Sequence, residues 1–451
     1  MNKEYLKSSI KKNERYQKKQ KKNIYVNETL LNVVEKFIKK NKRICYGGTA
    51  INSILPKDQQ FYDYDIDIPD YDFFTPNALE DAKTLCNLFK KENIFHVEGK
   101  NAVIYGTYKV FVNFVPIADC TQVDQAFYDY LVKNSIDKDG ILYTPPSFLR
   151  MSLHQELARP LGDVTRWEKI YERMNLLNLY YPVLSKSFHK NHNSLIKLKS
   201  KEFANNYDEL FNYFQKNNHV FCNLHMIACK YKKYVKTKYC LTNNDKDMYI
   251  IYCDDLNMTM KELQKMKLPN INIELKESHY KFISNYVFMY YKKTLIGILF
   301  QTNSCLSYIV SKHKNKKIYI GNIDTLMNLY FSFLLMDDIH VNEKFIISVL
   351  SEMNKVIIHY EKYTENPNDI PKILNRFNLP CYGEQSDFQS ILKERYKKYK
   401  ELKDKKTSIE YKKWFFKYTP NLSDKDNVQT KKKQNSSKKN KTLKLSKKRD
   451  K

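Results

Sequence analysis

Nowhere in the 451 residues is there an apolar run as long as the roughly 18 residues a helix needs to cross a bilayer, so no membrane span is expected. The Lys-rich N-terminus also lacks the apolar core of a secretory leader, and secretion is not expected either. The nine cysteines (45, 86, 120, 222, 229, 240, 253, 305 and 381) are odd in number, scattered and never spaced C-x-x-C. That pattern predicts reduced thiols, with neither a disulfide framework nor a zinc cluster. Negative charge is in short supply as well. Asp and Glu number 50 against 78 Lys and Arg, and the resulting net charge of +28 makes a polyanion, nucleic acid first, the leading partner class. AT-rich coding alone also yields Lys, Asn and Tyr in excess, so the charge has to be read together with motifs.

At this length, and with 42% apolar residues, two or three domains can each bury a core. Residues 1–22 hold nine Lys or Arg and two acids without hydrophobic periodicity, which reads as a solvated or marginally helical arm. Asn27 is a suitable N-cap for an amphipathic helix carrying Leu30, Leu31, Val33, Val34, Phe37 and Ile38. A strand at 43–46 should lead into Gly47-Gly48 and a brief helix ended by Pro56. Residues 70–74 read as a strand with alternating faces, 77–92 as a helix, and 94–97, 102–105 and 109–118 as three further β runs. Two helical stretches fill 146–181, broken at 160–162. In the second half, β-like runs at 248–252, 286–291, 296–300 and 317–320 and a helix at 324–336 suggest a second α/β domain. Residues 431–451 carry eleven Lys or Arg and one Asp and are expected to be disordered.

The chemistry rests on order. Gly47-Gly48-Thr49 closes one strand and opens a helix, where absent Cβ atoms and free N–H groups suit a triphosphate. Asp70 and Asp72 follow at strand spacing, so both carboxylates point the same way and can share hard divalent cations. Nucleotidyl transfer needs that arrangement, because paired metals activate a hydroxyl and neutralise departing pyrophosphate. A third acid is sought on a neighbouring strand. Asn113 stands where one is expected, but an amide is a poor Mg²⁺ ligand, so Asp119 is preferred. Asp65 and Asp67 have the same spacing, yet only Asp70-Tyr71-Asp72 runs straight into the anchoring Phe73-Phe74. Each piece has a bland counterpart: Gly-Gly-Thr as a turn, the acids as a strand-edge guard.

Four ordered blocks carry a family resemblance: 46–52 (Tyr-Gly-Gly-Thr-Ala-Ile-Asn), 68–74, 106–119, and 145–151 with 156–169. They resemble the poxvirus-like poly(A) polymerase catalytic subunits of large nucleocytoplasmic DNA viruses, well over about residues 40–185 and faintly around 323–325. The resemblance implies an α/β (α+β) fold with a nucleotidyltransferase-type mixed sheet and flanking helices, followed by a second α/β domain. It implies Asp70 and Asp72 as ligands of Mg²⁺ or Mn²⁺, Asp119 or a two-acid site beside them, and Gly47, Gly48 and Thr49 at the triphosphate of ATP. The substrate would be RNA 3′ ends. Either self-association or a separate processivity partner is compatible with it, and the location would be host cytoplasm (the viral factory) or the virion.

Among other residues, Lys109 is a candidate for the triphosphate, and Arg150 and Arg166 for RNA phosphates. Arg159 and Arg166 could equally pair with Glu156 or Asp163 and pin helices. His189 and His192 lie in a Lys-rich stretch without nearby acids or Cys and do not suggest a metal. Of the 36 Tyr and 25 Phe, some could stack bases, but most should be core. The expected organisation is a basic arm at 1–26, a catalytic domain at 27–185, an RNA-binding α/β domain at 186–420 and a Lys-rich tail at 421–451. The expected reaction is template-independent adenylyl transfer by two metals. The rivals are another nucleotide specificity and a catalytically silent RNA-binding subunit of the same fold.

Overall fold

The computed structural model describes residues 3–25, 28–68, 70–94, 96–184, 195–196, 200–223, 246–276, 283–313, 315–336, 343–363, 376–377 and 380–420. Asn27, His189, His192, Cys229, Cys240 and the expected tail lie outside them.

The first half is built around a mixed sheet. Helix α1 (Lys3–Tyr25) precedes α2 (Glu28–Lys40), which buries Leu30, Val34, Phe37 and Ile38 on one face, as their spacing requires. Strand β1 (Ile44–Cys45) passes at once into α3 (Gly47–Ile54) because Gly47 takes φ +73°, a turn that a Cβ would resist. Strand β2 (Tyr71–Thr75) and helix α4 (Ala78–Lys91) follow. Next come β3 (Val97–Asn101), β4 (Thr107–Val112) and β5 (Val115–Gln122). The expected strand at 102–105 is instead a loop. The expected single run 109–118 is cut at Asn113 and Phe114, whose positive φ values of 51° and 67° make a two-residue hairpin turn between β4 and β5. Helix α5 (Gln125–Asn134), strands β6 (Ile136–Lys138) and β7 (Ile141–Tyr143), and helices α6 (Pro146–Leu157) and α7 (Trp167–Tyr180) complete this half. The sheet order is β18-β3-β4-β5-β2-β1-β7-β6, where β18 is Lys417–Tyr418, with β2 parallel to β5 and antiparallel to β1.

The second half contains β8 (Leu195–Ile196), α8 (Lys201–Lys216), β9 (Val220–Phe221), β10 (Lys246–Asp247), β11 (Tyr249–Cys253) and α9 (Leu256–Lys265). Strands β12 (Ile271–Lys276), β13 (Tyr286–Tyr291), β14 (Thr294–Gln301), β15 (Leu306–His313) and β16 (Lys316–Gly321) come next, then α10 (Ile323–Ser332) and α11 (Glu343–Tyr363). A second mixed sheet runs β12-β13-β14-β11-β9-β16-β15-β17, where β17 is Cys381–Tyr382. Pairing of β17 with β15 brings Cys305 and Cys381 together as a disulfide, Cα–Cα 5.1 Å across 76 residues, against the expectation of reduced thiols only. Spacing could not reveal it, because the pairing of two distant strands creates it.

Both ends of the described residues are tied to the first half. The N-terminal arm is a 23-residue exposed helix, tied down where Arg15 and Lys18 pair with Asp63 and Asp67 at 2.9 and 3.0 Å. The C-terminal stretch does not stay with the second sheet. Helices α12 (Phe388–Leu402) and α13 (Ile409–Phe415) lead to β18 (Lys417–Tyr418), which pairs with β3 and covers the edge of the first sheet. Phe416 is buried edge-on against Tyr108 there, and that burial draws the segment back.

The two halves meet through α6 and α10. His154 donates from Nδ1 to Asp324 Oδ1 at 2.8 Å, and Arg376 reaches the same buried carboxylate from Nε and Nη2 at 3.0 and 2.8 Å. Asn328 donates to the Met151 carbonyl at 3.0 Å. Phe74, Phe127, Phe148 and Met151 of the first half share one apolar cluster with the second sheet, so the acid-bearing strand is anchored from both sides.

Candidate active site

Strand alternation decides where the acids go. Along β2, Tyr71 and Phe73 face α2 and α4, while Asp72 and Phe74 face the other way with Asp70 just before the strand. Phe74 stacks on Tyr46 with ring centroids 3.9 Å apart, and Tyr71 donates to Glu35 at 2.6 Å, so both faces of the strand are fixed. Parallel pairing sets Asp119 of β5 level with Asp72, and antiparallel pairing sets Lys109 of β4 level with Asp119. Oxygens of Asp70, Asp72 and Asp119 thus lie within 4.8 Å of one another. Asp65 and Asp67 are elsewhere, in the loop that ties down α1. Asn113 sits in the hairpin turn at the far end of β4, well away from the cluster.

The turn before α3 holds this strand. The Tyr46 N–H donates to the Asp72 carbonyl at 2.9 Å, and the Thr49 hydroxyl to the Asp70 carbonyl at 2.8 Å. Thr49 is therefore a clasp on the acid-bearing backbone, and its hydroxyl is committed there. Gly47 lies so close that a Cβ would stand 3.1 Å from Asp72 Oδ2. A Cβ on Gly48 would meet the Tyr62 hydroxyl, and Arg173 Nη1 at 2.9 Å. No side chain caps the N-terminus of α3, which leaves its first-turn N–H groups beside the carboxylates.

Three carboxylates in one half-buried spot repel one another. Burial, then Asp119, pushes the Asp70 carboxyl up to about 6. Burial, then Asp70 and Asp119, pushes Asp72 well above the carboxylate range. Asp119 is raised by burial, despite the Lys109 ammonium bonded to it at 2.5 Å. Asp70 Oδ1 and Asp119 Oδ1 are buried without a hydrogen-bond partner. Crowded oxygens with empty lone pairs suit hard divalent cations, which supply the missing positive charge.

Opposite the acids stands a cationic face, of which the sequence singled out Arg166 but not Lys169 or Arg173. Arg166, at the start of α7, reaches Asp72 electrostatically. Lys169 loses proton affinity through burial and then through Arg166 and Arg173. Arg173 lies over the Phe61 ring at 4.6 Å and donates to the Tyr62 hydroxyl at 3.1 Å. Positions 166, 169 and 173 share one helical face, a period that could have been noticed. The other expected cations are placed differently. Lys109 is held by Asp119. Arg150 is buried and donates to Asn178 Oδ1 at 3.0 Å and to the Leu177 and Tyr181 carbonyls, so it locks α6 to α7 and cannot reach RNA. Arg159 pairs with Glu156.

Residues 32–163, which hold every acid and glycine of the cluster, match the family described as the poly(A) polymerase catalytic subunit. Over that segment the chain resembles the poly(A) polymerase catalytic subunits. A protein of Acanthamoeba polyphaga mimivirus assigned to that subunit is 35% identical over 165 residues, 36% of this chain and 28% of that one. Its counterpart in African swine fever virus (isolate Pig/Kenya/KEN-50/1950) is 30% identical over 170 residues, 35% of this chain and 34% of that one. The matched stretch thus spans about a third of these relatives' length. The crystal structure of the Megavirus polyadenylate synthase superposes with a TM-score of 0.75 at 17% identity, over 96% of this chain and 89% of that one, which shows a common fold. Among the described residues, no helix is long and apolar enough to cross a membrane.

Proposed function

We propose that the chain is a polynucleotide adenylyltransferase, transferring AMP from ATP to RNA 3′ ends without a template. The observation that carries this is the gathering of Asp70, Asp72 and Asp119 beside the Gly47-Gly48 turn, inside the segment that matches the family. In the reaction, the RNA 3′ oxygen attacks the α-phosphorus of ATP, its proton leaves, and the bond to the β-phosphate oxygen breaks to release pyrophosphate. Mg²⁺ or Mn²⁺ on the three carboxylates would polarise the attacking and departing oxygens.

The chain's own residues supply the rest. The N–H groups opening α3 and the absent Cβ atoms of Gly47 and Gly48 let a triphosphate approach. Arg166, Lys169 and Arg173 form the wall that faces it, and their mutual repulsion is relieved by a polyanion. Asp119, with one oxygen lacking a partner, aligns the 3′ hydroxyl. Lys109 keeps Asp119 oriented and moderates the repulsion among the acids.

The decisive experiment incubates the protein with a short oligo(A) or oligo(U) primer and each of the four NTPs, in Mg²⁺ and in Mn²⁺. Extension with ATP supports the reading, extension only with another nucleotide corrects its specificity, and an unextended primer in every condition overturns it. Self-association or a processivity partner belongs to the same proposal; light scattering with and without RNA tests the former.

A further inference from the structure

A second pocket lies away from the acids, where the C-terminal helices return to the first sheet. It encloses about 270 Å³ between the β3–β4 loop and α12–α13, with Asn101, Ile104, Tyr105, Glu394, Arg395 and Trp414 among its walls. That is just below the ~300–1,000 Å³ usual for small-ligand sites, room for one planar base rather than a whole nucleotide. One wall is aromatic: the Tyr105 and Trp414 ring centroids are 4.3 Å apart with the planes tilted by 32°, and the indole N–H is held by Glu410 at 3.0 Å. Ile104 and Val103 are exposed at its mouth.

The polar groups are placed for recognition. The Asn101 amide nitrogen donates to the Lys413 carbonyl at 2.6 Å, which fixes the amide's orientation and leaves its buried Oδ1 without a partner. The exposed Glu394 carboxylate is a second acceptor. Two acceptors beside an aromatic wall suit a base bearing an exocyclic amine and repel the carbonyl oxygens of uracil. The surroundings suit a phosphate chain, since residues 388–415 carry ten Lys and Arg against four acids. Their exposed Phe388, Leu392 and Tyr396 form a stripe at helical spacing along α12. The loop runs directly into β4, which carries Lys109, so the pocket lies on the order of 10 Å along the chain from the acid cluster.

We propose that this pocket takes one base of the RNA strand behind its growing 3′ end, with adenine preferred over uracil, while α12 and α13 track the backbone. The proposal rests on the adenylyl-transfer reading for the direction of the strand and for the supply of adenine. Once the tail reaches the pocket, the enzyme holds its own product, and the tail strengthens binding as it grows.

The test uses full-length protein. Trp414 and Trp167 are the two tryptophans, so in a Trp167→Phe variant Trp414 alone reports. In EDTA, where no transfer occurs, short oligo(A) should quench its fluorescence saturably and bind about tenfold tighter than oligo(U). Trp414→Ala should weaken binding of labelled oligo(A) by roughly five- to a hundredfold. Glu394→Ala, at an exposed position that folding does not need, should bring the oligo(A)-to-oligo(U) ratio towards one. An absent quench, equal affinities for the two oligomers, or a folded Trp414→Ala protein of undiminished affinity overturns the proposal. So does a quench that grows with protein concentration in the absence of RNA, which would mean that a second copy covers this face. Primer extension without the quench sinks this inference alone, whereas the quench without extension sinks only the enzymatic reading.

Discussion

Under the proposed function, Asp72 is a side chain that serves catalysis at the expense of stability. Its carboxylate is half-buried beside two others, which raises its pKa, so Asp72→Asn should abolish primer extension yet raise metal-free stability at neutral pH. Thermal unfolding in EDTA checks this, and a lower Tm for the variant would contradict it. Mn²⁺ should raise the Tm of the wild type far more than that of the variant, because ligand binding to the folded state stabilises by mass action. Gly47 makes the complementary case. With φ at +73° and Asp72 Oδ2 3.1 Å from where a Cβ would stand, Gly47→Ala adds strain of about 1–2 kcal/mol and displaces the carboxylate. Extension should therefore fall much further than stability does, a split that activity and urea unfolding measured together will show. The pair of acids and the glycine turn were legible because both obey short-range rules. Sequence shows the charges of Lys109 and Arg150 but not their partners, the Asp119 carboxylate for the one and carbonyls at the end of α7 for the other, and for Arg150 burial removes the expected contact with RNA.

Elements returned from far along the chain shape the site's surroundings. Strand β18 covers the edge of β3 by pairing Lys417 with Lys100 and Tyr418 with Gly99, and Phe416 is buried behind it. Phe416→Ala should cost about 3–5 kcal/mol, read from denaturant midpoints. A chain ended at residue 387 should expose the β3 edge and aggregate on warming, whereas one lacking only residues 421–451 should not. Local pattern located α2, α4, β2 and four of the eight strands of the second sheet, β11, β13, β14 and β16. It overran the β4–β5 hairpin, since the apolar run continues through a turn that only the positive φ of Asn113 and Phe114 reveals.

For the whole molecule, the junction at Asp324 couples stability to pH. Burial alone would raise its pKa, but Arg376 and His154 outweigh burial and hold it at about 2. A carboxyl depressed in the folded state contributes stability above its unfolded pKa and loses it as pH falls through the folded value. The contribution, about 2 kcal/mol, should thus be complete above pH ~4 and fade between about 4 and 2. The stability gap between wild type and Asp324→Asn should narrow over that window in urea titrations, and a constant gap would contradict the assignment. Charge sets the other global property. RNA affinity should fall steeply with salt, and removing residues 431–451, with eleven Lys or Arg against one Asp, should flatten that dependence. By itself the sequence determined the periodic elements, the Gly-Gly turn, the same-face acids and the cationic balance, because each depends on neighbours a few residues apart. The sequence also favoured Asp119 as the third acid, but tertiary structure alone decided how closely it joins the other two, that Arg173 faces Gly48, that Cys305 meets Cys381 and that Trp414 returns to Tyr105. These contacts link residues tens to hundreds of positions apart, and what brings them together is the shared burial of two sheets, which no local pattern encodes.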